Sequence, residues 1–484
     1  MNHRMDSSLS LAYIDGEWAD VDGGTRFDVQ DPGTGDVVGR VADTGEPEWS
    51  RALDAAASAQ GEWGGTSRGE RSRILRFLHD EVERRSEELA HIIGLESGKP
   101  LDEARAEVRY GSSFLLWFSQ LVMTQAGSVV PSPSGDYQMQ VEKVPVGPSL
   151  LITPWNFPFA MLTRKVGAAL AAGCTSIVKP AALTPYTCAW FFDLLHEAGL
   201  PAGAVNYLPT TRASAFSSAL MGDSRLRKVS FTGSTNVGRV LVRQSVDHFQ
   251  RTSMELGGNA PFVVLPDAEF KDAMDGIMTA KFRNAGQACV AANRLLVPRD
   301  QYEDYVSEIS RRAEELHVGG SEDLSTEMGP LADASQVDSM RGIIADARAE
   351  GGIVRTGGEA LQGPGFYFAP TVISDLPIGG TTWSREIFGP VAAVYAYDSV
   401  ESVADLANDT EYGLVSYLYG QRSADLDEVA GRLQSGMVAV NRPVISEASS
   451  PFGGVKSSGF GREGGHHGLD DYQDIRYTAR REFP

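Results

Sequence analysis

Three segments carry residues able to make and break a bond at a carbonyl carbon. Cys289 ends the run Arg283-Asn284-Ala285-Gly286-Gln287-Ala288-Cys289. A reactive thiol needs a depressed pKa and close approach by its substrate. Gly286 allows that approach, between the polar Asn284 and Gln287. Cys174 follows Ala171-Ala172-Gly173, and Cys188 adjoins Ala189-Trp190. Both fit a small buried hydrophobe, a reading also open for any lone cysteine such as Cys289. Glu255, in Met254-Glu255-Leu256-Gly257-Gly258-Asn259, stands beside two glycines. Its carboxylate can reach into a cleft as a water-activating base, or it is a solvated turn residue. Asn156 is set between two prolines in Thr153-Pro154-Trp155-Asn156-Phe157-Pro158. Held at a strand end, its amide can donate to a developing oxyanion; the alternative is a stiff structural turn.

A phosphate site is expected at Phe231-Thr232-Gly233-Ser234-Thr235-Asn236-Val237-Gly238, which follows an apolar strand and leads into a helix over Val237–Val246. Glycine, Ser and Thr at a helix start expose N–H groups and hydroxyls to a pyrophosphate, although a plain N-cap has the same composition. The literal G-x-G-x-x-G at Gly459–Gly464 reads as a turn. No β-α-β unit fits around it, and the dinucleotide fingerprint requires one.

The elements that must position these residues alternate between helical and β-branched runs, as in an α/β protein with parallel strands. Ser72 to Ile93 reads as one amphipathic helix, with Ile74, Leu75, Leu78, Val82, Leu89 and Ile92 near a 3.6 period. Gly98-Lys99-Pro100 then stops it. Strands are expected at 149–153, 175–178, 206–208, 228–231 and 260–265, with a helix at 163–172, giving a nucleotide-binding series over about 149–265. A second α/β domain starts after Asp267 with a helix through Arg283, then strands at 294–297 and 391–397. Gln138 to Val144 alternates as a strand outside the first sheet, free to pair with the C-terminal stretch or another subunit.

A chain of 484 residues suggests two or three domains. Its net charge of -21 argues against nucleic acid and means that a positive pocket must be built locally. No apolar stretch is long enough for a membrane span, and Met1 to Ser10 lacks a signal core and reads as a floppy tail. Three cysteines suggest no disulfide framework, the eight histidines show no ligand spacing, and no metal is expected. The expected location is cytoplasmic.

In order and spacing, these segments resemble the aldehyde dehydrogenase superfamily. The resemblance also takes in Lys179-Pro180, Glu386-Ile387-Phe388-Gly389-Pro390 and Pro451-Phe452-Gly453-Gly454. It runs from Tyr13-Ile14-Asp15-Gly16-Glu17-Trp18 to Arg462-Glu463-Gly464. It implies two Rossmann-type parallel-sheet domains and a small β oligomerisation element: a cofactor domain at 1–127 and 147–257, a catalytic domain at 258–452, and the element at 128–146 and 466–484. It implies that Cys289 attacks the aldehyde, that the Asn156 amide and the Cys289 N–H hold the oxyanion, and that Glu255 activates water to hydrolyse the thioester. Cofactor contacts are implied at Thr153, Pro154, Trp155, Lys179 (adenine ribose), Ala182, Gly233, Ser234 (pyrophosphate), Gly238, Leu256, Glu386 and Phe388 (nicotinamide ribose and ring). The subunits are expected to form a homodimer or homotetramer.

Ala182 departs from the pattern: relatives preferring NAD usually carry Glu three positions after the lysine. Its loss removes a ribose acceptor and the repulsion against a 2′-phosphate, so NADP is expected over NAD, with Arg212 as a further phosphate contact. Thr163-Arg164-Lys165, Tyr110-Gly111-Ser112-Ser113-Phe114 and Phe282–Gln287 look like the succinate-semialdehyde dehydrogenase branch. That implies Arg164, Arg283 and Ser446 as ligands of the substrate's distal carboxylate. An ion pair of either Arg with a neighbouring carboxylate is the competing reading. Ala291, where relatives often carry a second cysteine, and Asn441-Arg442-Pro443, in place of Asn-Glu-Gly, are departures that leave open other semialdehydes, or an aromatic aldehyde resting on Trp155, Phe157 and Phe452. Transfer of the thioester to coenzyme A is disfavoured by Glu255. A non-enzymatic relative would be expected to lack Cys289, Glu255 or Asn156.

Overall fold

The computed structural model describes residues 7–481; Met1–Asp6 of the expected tail and cofactor domain, and residues 482–484 of the expected oligomerisation element, lie outside the described residues. Ser7–Ser10 form a 3-10 turn with Leu9 buried, so that part of the expected tail is ordered structure.

Short β-branched runs bounded by Pro and Gly become the strands of two sheets. The first has eight strands, in the order Gly459–Phe460, Arg251–Glu255, Lys228–Thr232, Ser149–Ile152, Ser176–Lys179, Val205–Tyr207, Ala12–Ile14, Glu17–Ala19. Its five central strands are parallel and its edge strands antiparallel, so the sheet is mixed rather than purely parallel. The second has seven strands, in the order Ile353–Thr356, Thr371–Ser374, Val391–Tyr397, Ala292–Pro298, Ala260–Val264, Val415–Tyr419, Met437–Val440, and only its first strand is antiparallel.

Alternation along the first sheet sends successive side chains to opposite faces. Leu151 and Val178 join the core beneath the helices Arg68–Arg84, Leu101–Thr124, Pro158–Ala172 and Pro185–Glu197. Leu150, Ile177 and Val229 join a second core with Trp49 and Phe216 on the other face. A third core surrounds the second sheet.

Two further expectations are corrected. Ser72–Ile93 is not one helix: Arg68–Arg84 and Ser86–Ser97 are separated at Arg85 (φ -107°, ψ 22°). The apolar period continues across the break because both helices pack on one core. The break follows the charges, since Glu87 and Glu88 open a new first turn, where acids are favoured. The 149–265 series does not form one sheet. Gly257-Gly258 lets the chain leave the first sheet, and Ala260–Val264 pairs with Ala292–Pro298 and Val415–Tyr419 of the second. Its place in the first sheet is taken by Arg251–Glu255, a polar strand unmarked in the sequence. Gln138–Pro145 pairs within the chain, between Gln473–Arg480 and Ser128–Pro131. Among the described residues, no helix is long and apolar enough to cross a membrane.

Candidate active site

Parallel strands end where their connecting segments turn, and in wound sheets ligands gather at those carboxyl ends. Thr153–Pro158 follows Ser149–Ile152, Gly233-Ser234 follows Lys228–Thr232, and Leu256-Gly257 follows Arg251–Glu255. The second sheet contributes the opposite ends of its strands: Cys289 just precedes Ala292–Pro298, and Glu386–Phe388 just precede Val391–Tyr397. Both sets line one cavity of roughly 450 Å³. It brings together Pro154, Trp155, Asn156, Arg164, Gly233, Ser234, Leu256, Arg283, Cys289, Glu386, Phe388 and Ser446. Thr153, Lys179, Ala182, Gly238 and Glu255 are not in its wall. Thr153 donates its N–H to the Lys179 carbonyl at 3.1 Å, tying two neighbouring strand ends. A Cβ on Gly238 would lie 2.5 Å from Leu256, so glycine there lets the Thr235–Ser245 helix sit close to the strand end. Ser234 caps this helix, accepting the Val237 N–H.

The segment before Cys289 is a tight left-handed bend. Asn284, Ala285 and Gly286 have φ of 54°, 52° and 69°. Left-handed backbone is strained for non-glycine residues, costing about 1–3 kcal/mol each, and hydrogen bonds hold the bend. Asn284 Nδ2 donates to the carbonyls of Asn156 (3.2 Å) and Gln287 (3.0 Å), and Asn156 Nδ2 donates to the Gln287 carbonyl at 3.0 Å. That carbonyl can only accept, which identifies the nitrogen end of the Asn156 amide. The N–H of Cys289 makes no hydrogen bond to another backbone carbonyl among the described residues and lies against its own thiol, whose pKa it lowers.

Burial pushes the Cys289 thiol up to about 12 against the pull of the Arg164 guanidinium, and the Glu386 and Glu255 carboxyls add to the rise. A reactive thiol needs the opposite shift, and here proximity of a cation does not outweigh desolvation. Glu255 is buried, and neither carboxyl oxygen has a hydrogen bond. Burial, then the charge of Glu463, raises it well above the carboxylate range, while Arg164, Lys165 and Arg462 pull it down. Glu463 itself stays below that range despite burial, because Lys165 and Arg164 bind it.

Arg164 is divided between two tasks. It lines the cavity, yet it pairs with Glu463 at 3.3 Å and with the Tyr110 hydroxyl, and its Nε has no partner. The competing ion-pair reading thus holds for part of Arg164. Arg283 has no ion pair among the described residues; its guanidinium lies 5.6 Å from the Phe157 ring centroid. Arg212 is already occupied: its Nη2 donates to the carbonyls of Asp43 and Thr44, and the group lies over Trp49. That withdraws the support for Arg212 as a phosphate contact.

Residues for a dinucleotide fit the cavity. Glu386 accepts the Gly258 N–H at 2.8 Å, and burial raises it to about 7. Its other oxygen has no hydrogen bond to the described residues, as an acceptor for a ribose hydroxyl requires. The Trp155 and Phe388 rings meet edge to face beside it, 5.5 Å apart, an apolar wall for a planar ring. Lys179 is buried, its ammonium donates to the Pro180 carbonyl at 3.1 Å, and burial lowers it to about 8.

Sequence reasoning missed Lys99, Glu103 and Glu107, which line the cavity, and it gave no role to Lys165 or Glu463. The available signal was charge at helix positions whose neighbours are apolar: Ala104, Glu107 and Val108 are all buried.

Two wound α/β sheets meeting at a thiol-bearing cavity make the frame of a dehydrogenase that works through a cysteine. The chain belongs to the aldehyde dehydrogenase family, whose model matches residues 18–478, and it is an oxidoreductase acting on aldehydes. It is 46% identical over 428 residues to a succinate-semialdehyde dehydrogenase of Paenarthrobacter nicotinovorans, covering 88% of this chain and 95% of that one. It is 41% identical over 476 residues to the NADP(+) succinate-semialdehyde dehydrogenase of Escherichia coli (strain K12), covering 98% of each. The crystal structure of succinate-semialdehyde dehydrogenase from Burkholderia pseudomallei superposes with a TM-score of 0.96 at 40% identity, over 99% of this chain and 100% of that chain.

Proposed function

We propose that this enzyme oxidises succinate semialdehyde to succinate with NADP. The observation that carries the substrate is Arg283. It is a guanidinium in the wall of the Cys289 cavity that forms no ion pair within 4.0 Å among the described residues, although the charge of Glu103 reaches it, in an acidic protein. A guanidinium left unpaired suits a second, distal carboxylate, which it can bind through two parallel N–H bonds. Ser446 and Arg164 line the same cavity, which supports this reading.

Cys289 loses its proton to solvent water and attacks the aldehyde carbon as the thiolate, and the resulting oxyanion is held by the Asn156 amide and the Cys289 N–H. Bound NADP supplies the hydride acceptor. Thr153, Pro154, Trp155, Gly233, Ser234, Gly238, Leu256, Glu386 and Phe388 would hold its nicotinamide and pyrophosphate portions, and Lys179 the adenine ribose. Water then cleaves the thioester with Glu255 as base. For that step Glu255 acts as the carboxylate, the form that Arg164, Lys165 and Arg462 favour, and takes the proton of the water as its oxygen adds to the thioester and the Cys289 thiolate leaves. Ala182 leaves no carboxylate against a 2′-phosphate, which supports NADP over NAD.

We also propose the division into a cofactor domain (1–127 and 147–257), a catalytic domain (258–452) and an oligomerisation element (128–146 and 466–484), with assembly into a dimer or tetramer. All three cysteines are free thiols, which supports a reducing, cytoplasmic location.

The test is a panel of aldehydes assayed with NAD and NADP, for the parent and for Arg283→Ala. KM for succinate semialdehyde should rise roughly 10- to 100-fold in the variant, as expected for loss of a charge-assisted hydrogen bond. KM for a neutral aldehyde of the same length should stay put. Equal changes for both aldehydes would sink the carboxylate site, and a higher kcat/KM with NAD would sink the cofactor assignment.

A further inference from the structure

Two turns must keep a fixed separation if the Asn156 amide and the Cys289 N–H are to converge on one oxygen, and both are tied to a single helix. Glu103 and Glu107 lie four positions apart on the Leu101–Thr124 helix, hence on one face. Glu107, buried, accepts the Phe159 and Ala160 N–H groups (2.9 and 3.2 Å), the first turn of the Pro158–Ala172 helix just past Asn156. Its other oxygen takes the ammonium of buried Lys99, which donates onward to the Asn156 carbonyl at 2.9 Å. One turn back, both oxygens of Glu103 accept the Asn284 N–H at 3.0 Å, at the start of the left-handed bend leading to Cys289. The two turns are also joined directly, through Asn284 Nδ2 and Asn156 Nδ2.

We propose that Glu103 and the Lys99–Glu107 pair are positioning residues that set the Asn156 turn and the Cys289 turn at the separation the oxyanion needs. A buried ion pair is a poor device for stability alone, since desolvating both ions offsets their attraction. Here the pair does something an apolar pair cannot: it satisfies two helix N–H groups and a carbonyl while fixing where they lie. A carboxylate on the Asn284 N–H likewise favours a bend that the backbone disfavours. Glu103 and Lys99 line the cavity, but their polar atoms in these contacts are spent on the protein's own backbone, so they act through Asn156 and Cys289.

The proposal rests on the oxyanion reading above, and one set of variants separates the two. kcat, KM, cofactor affinity and Tm are measured for Glu103→Gln and Glu107→Gln, each alone and combined with Asn156→Ala. Positioning predicts that each single variant lowers kcat on the order of 10- to 100-fold, as small misplacements do. KM for a neutral aldehyde and cofactor affinity should stay within about twofold, and each substitution should cost only about twofold more in kcat once Asn156 is Ala. A kcat near the parent value, or losses that multiply regardless of Asn156, would overturn it in favour of a purely structural role. If Asn156→Ala alone leaves kcat intact, the oxyanion reading fails and this proposal with it. Should Glu107→Gln not fold, the less buried Glu103→Gln decides the matter by the same criteria.

Discussion

Cys289, given the bond-making role, holds its proton at neutral pH in the protein by itself, and the carboxyl of Glu255, given the water-activating role, is shifted towards its protonated form. Their enclosure explains it, since each is desolvated more than its cationic neighbours compensate. A thiol near 12 is ionised to only about one part in 10⁵ at pH 7. Alkylation of Cys289 by iodoacetamide in cofactor-free protein should therefore rise about tenfold per pH unit and still be rising at about pH 10. A plateau near neutrality would show that the thiolate is already stabilised by the protein. Residue type alone told which groups carry the chemistry and said nothing about their proton states, which depend on enclosure by segments far apart in the chain.

Helices meet through charged side chains at more than one place in this fold. Glu96, on the Ser86–Ser97 helix, accepts the N–H groups of Tyr186 (2.8 Å) and Thr187 (2.9 Å) in the first turn of the Pro185–Glu197 helix. Burial raises it to about 8 in spite of those bonds. The folded state then binds this proton more tightly than the unfolded one. Its contribution is fully present below the ordinary carboxyl pKa and is lost as pH rises through about 8. Glu96→Gln keeps one acceptor oxygen and removes the titration, so the parent Tm should fall relative to the variant between about pH 5 and 8; parallel curves would refute this. Such contacts are hard to see in a sequence, because Glu96, Glu103 and Glu107 read as the solvated face of a helix. Strands with β-branched runs between Pro and Gly were legible, and so were the turns at their ends. Arg251–Glu255 was not, for want of apolar alternation, and the sheet of Ala260–Val264 could not be inferred from chain order.

At the scale of the molecule, the three-stranded sheet of Ser128–Pro131, Gln138–Pro145 and Gln473–Arg480 stands apart from the cores. Residues two apart share a face, so Ile475 and Tyr477 project together, and they are 74% and 53% exposed. Val130 lies on the same side, opposite Met139 and Ala479 in register. Apolar side chains gathered on an open sheet suit burial against another copy. The double variant Ile475→Glu, Tyr477→Glu should give a smaller particle by light scattering while the Cys289 cavity keeps its aldehyde specificity. An unchanged mass would exclude this face from assembly.

Glu463 lies near the C-terminal end of the described chain, yet it anchors Arg164 and Lys165 and its charge bears on Glu255. On a growing polypeptide, the residues it serves are made long before it. Until it arrives, two buried cations lack their counter-charge, and burying them alone is costly. The active site is thus completed only once Glu463, 299 positions after Arg164, has been made, and a chain halted before that point would carry its nucleophile without the surroundings that make it useful.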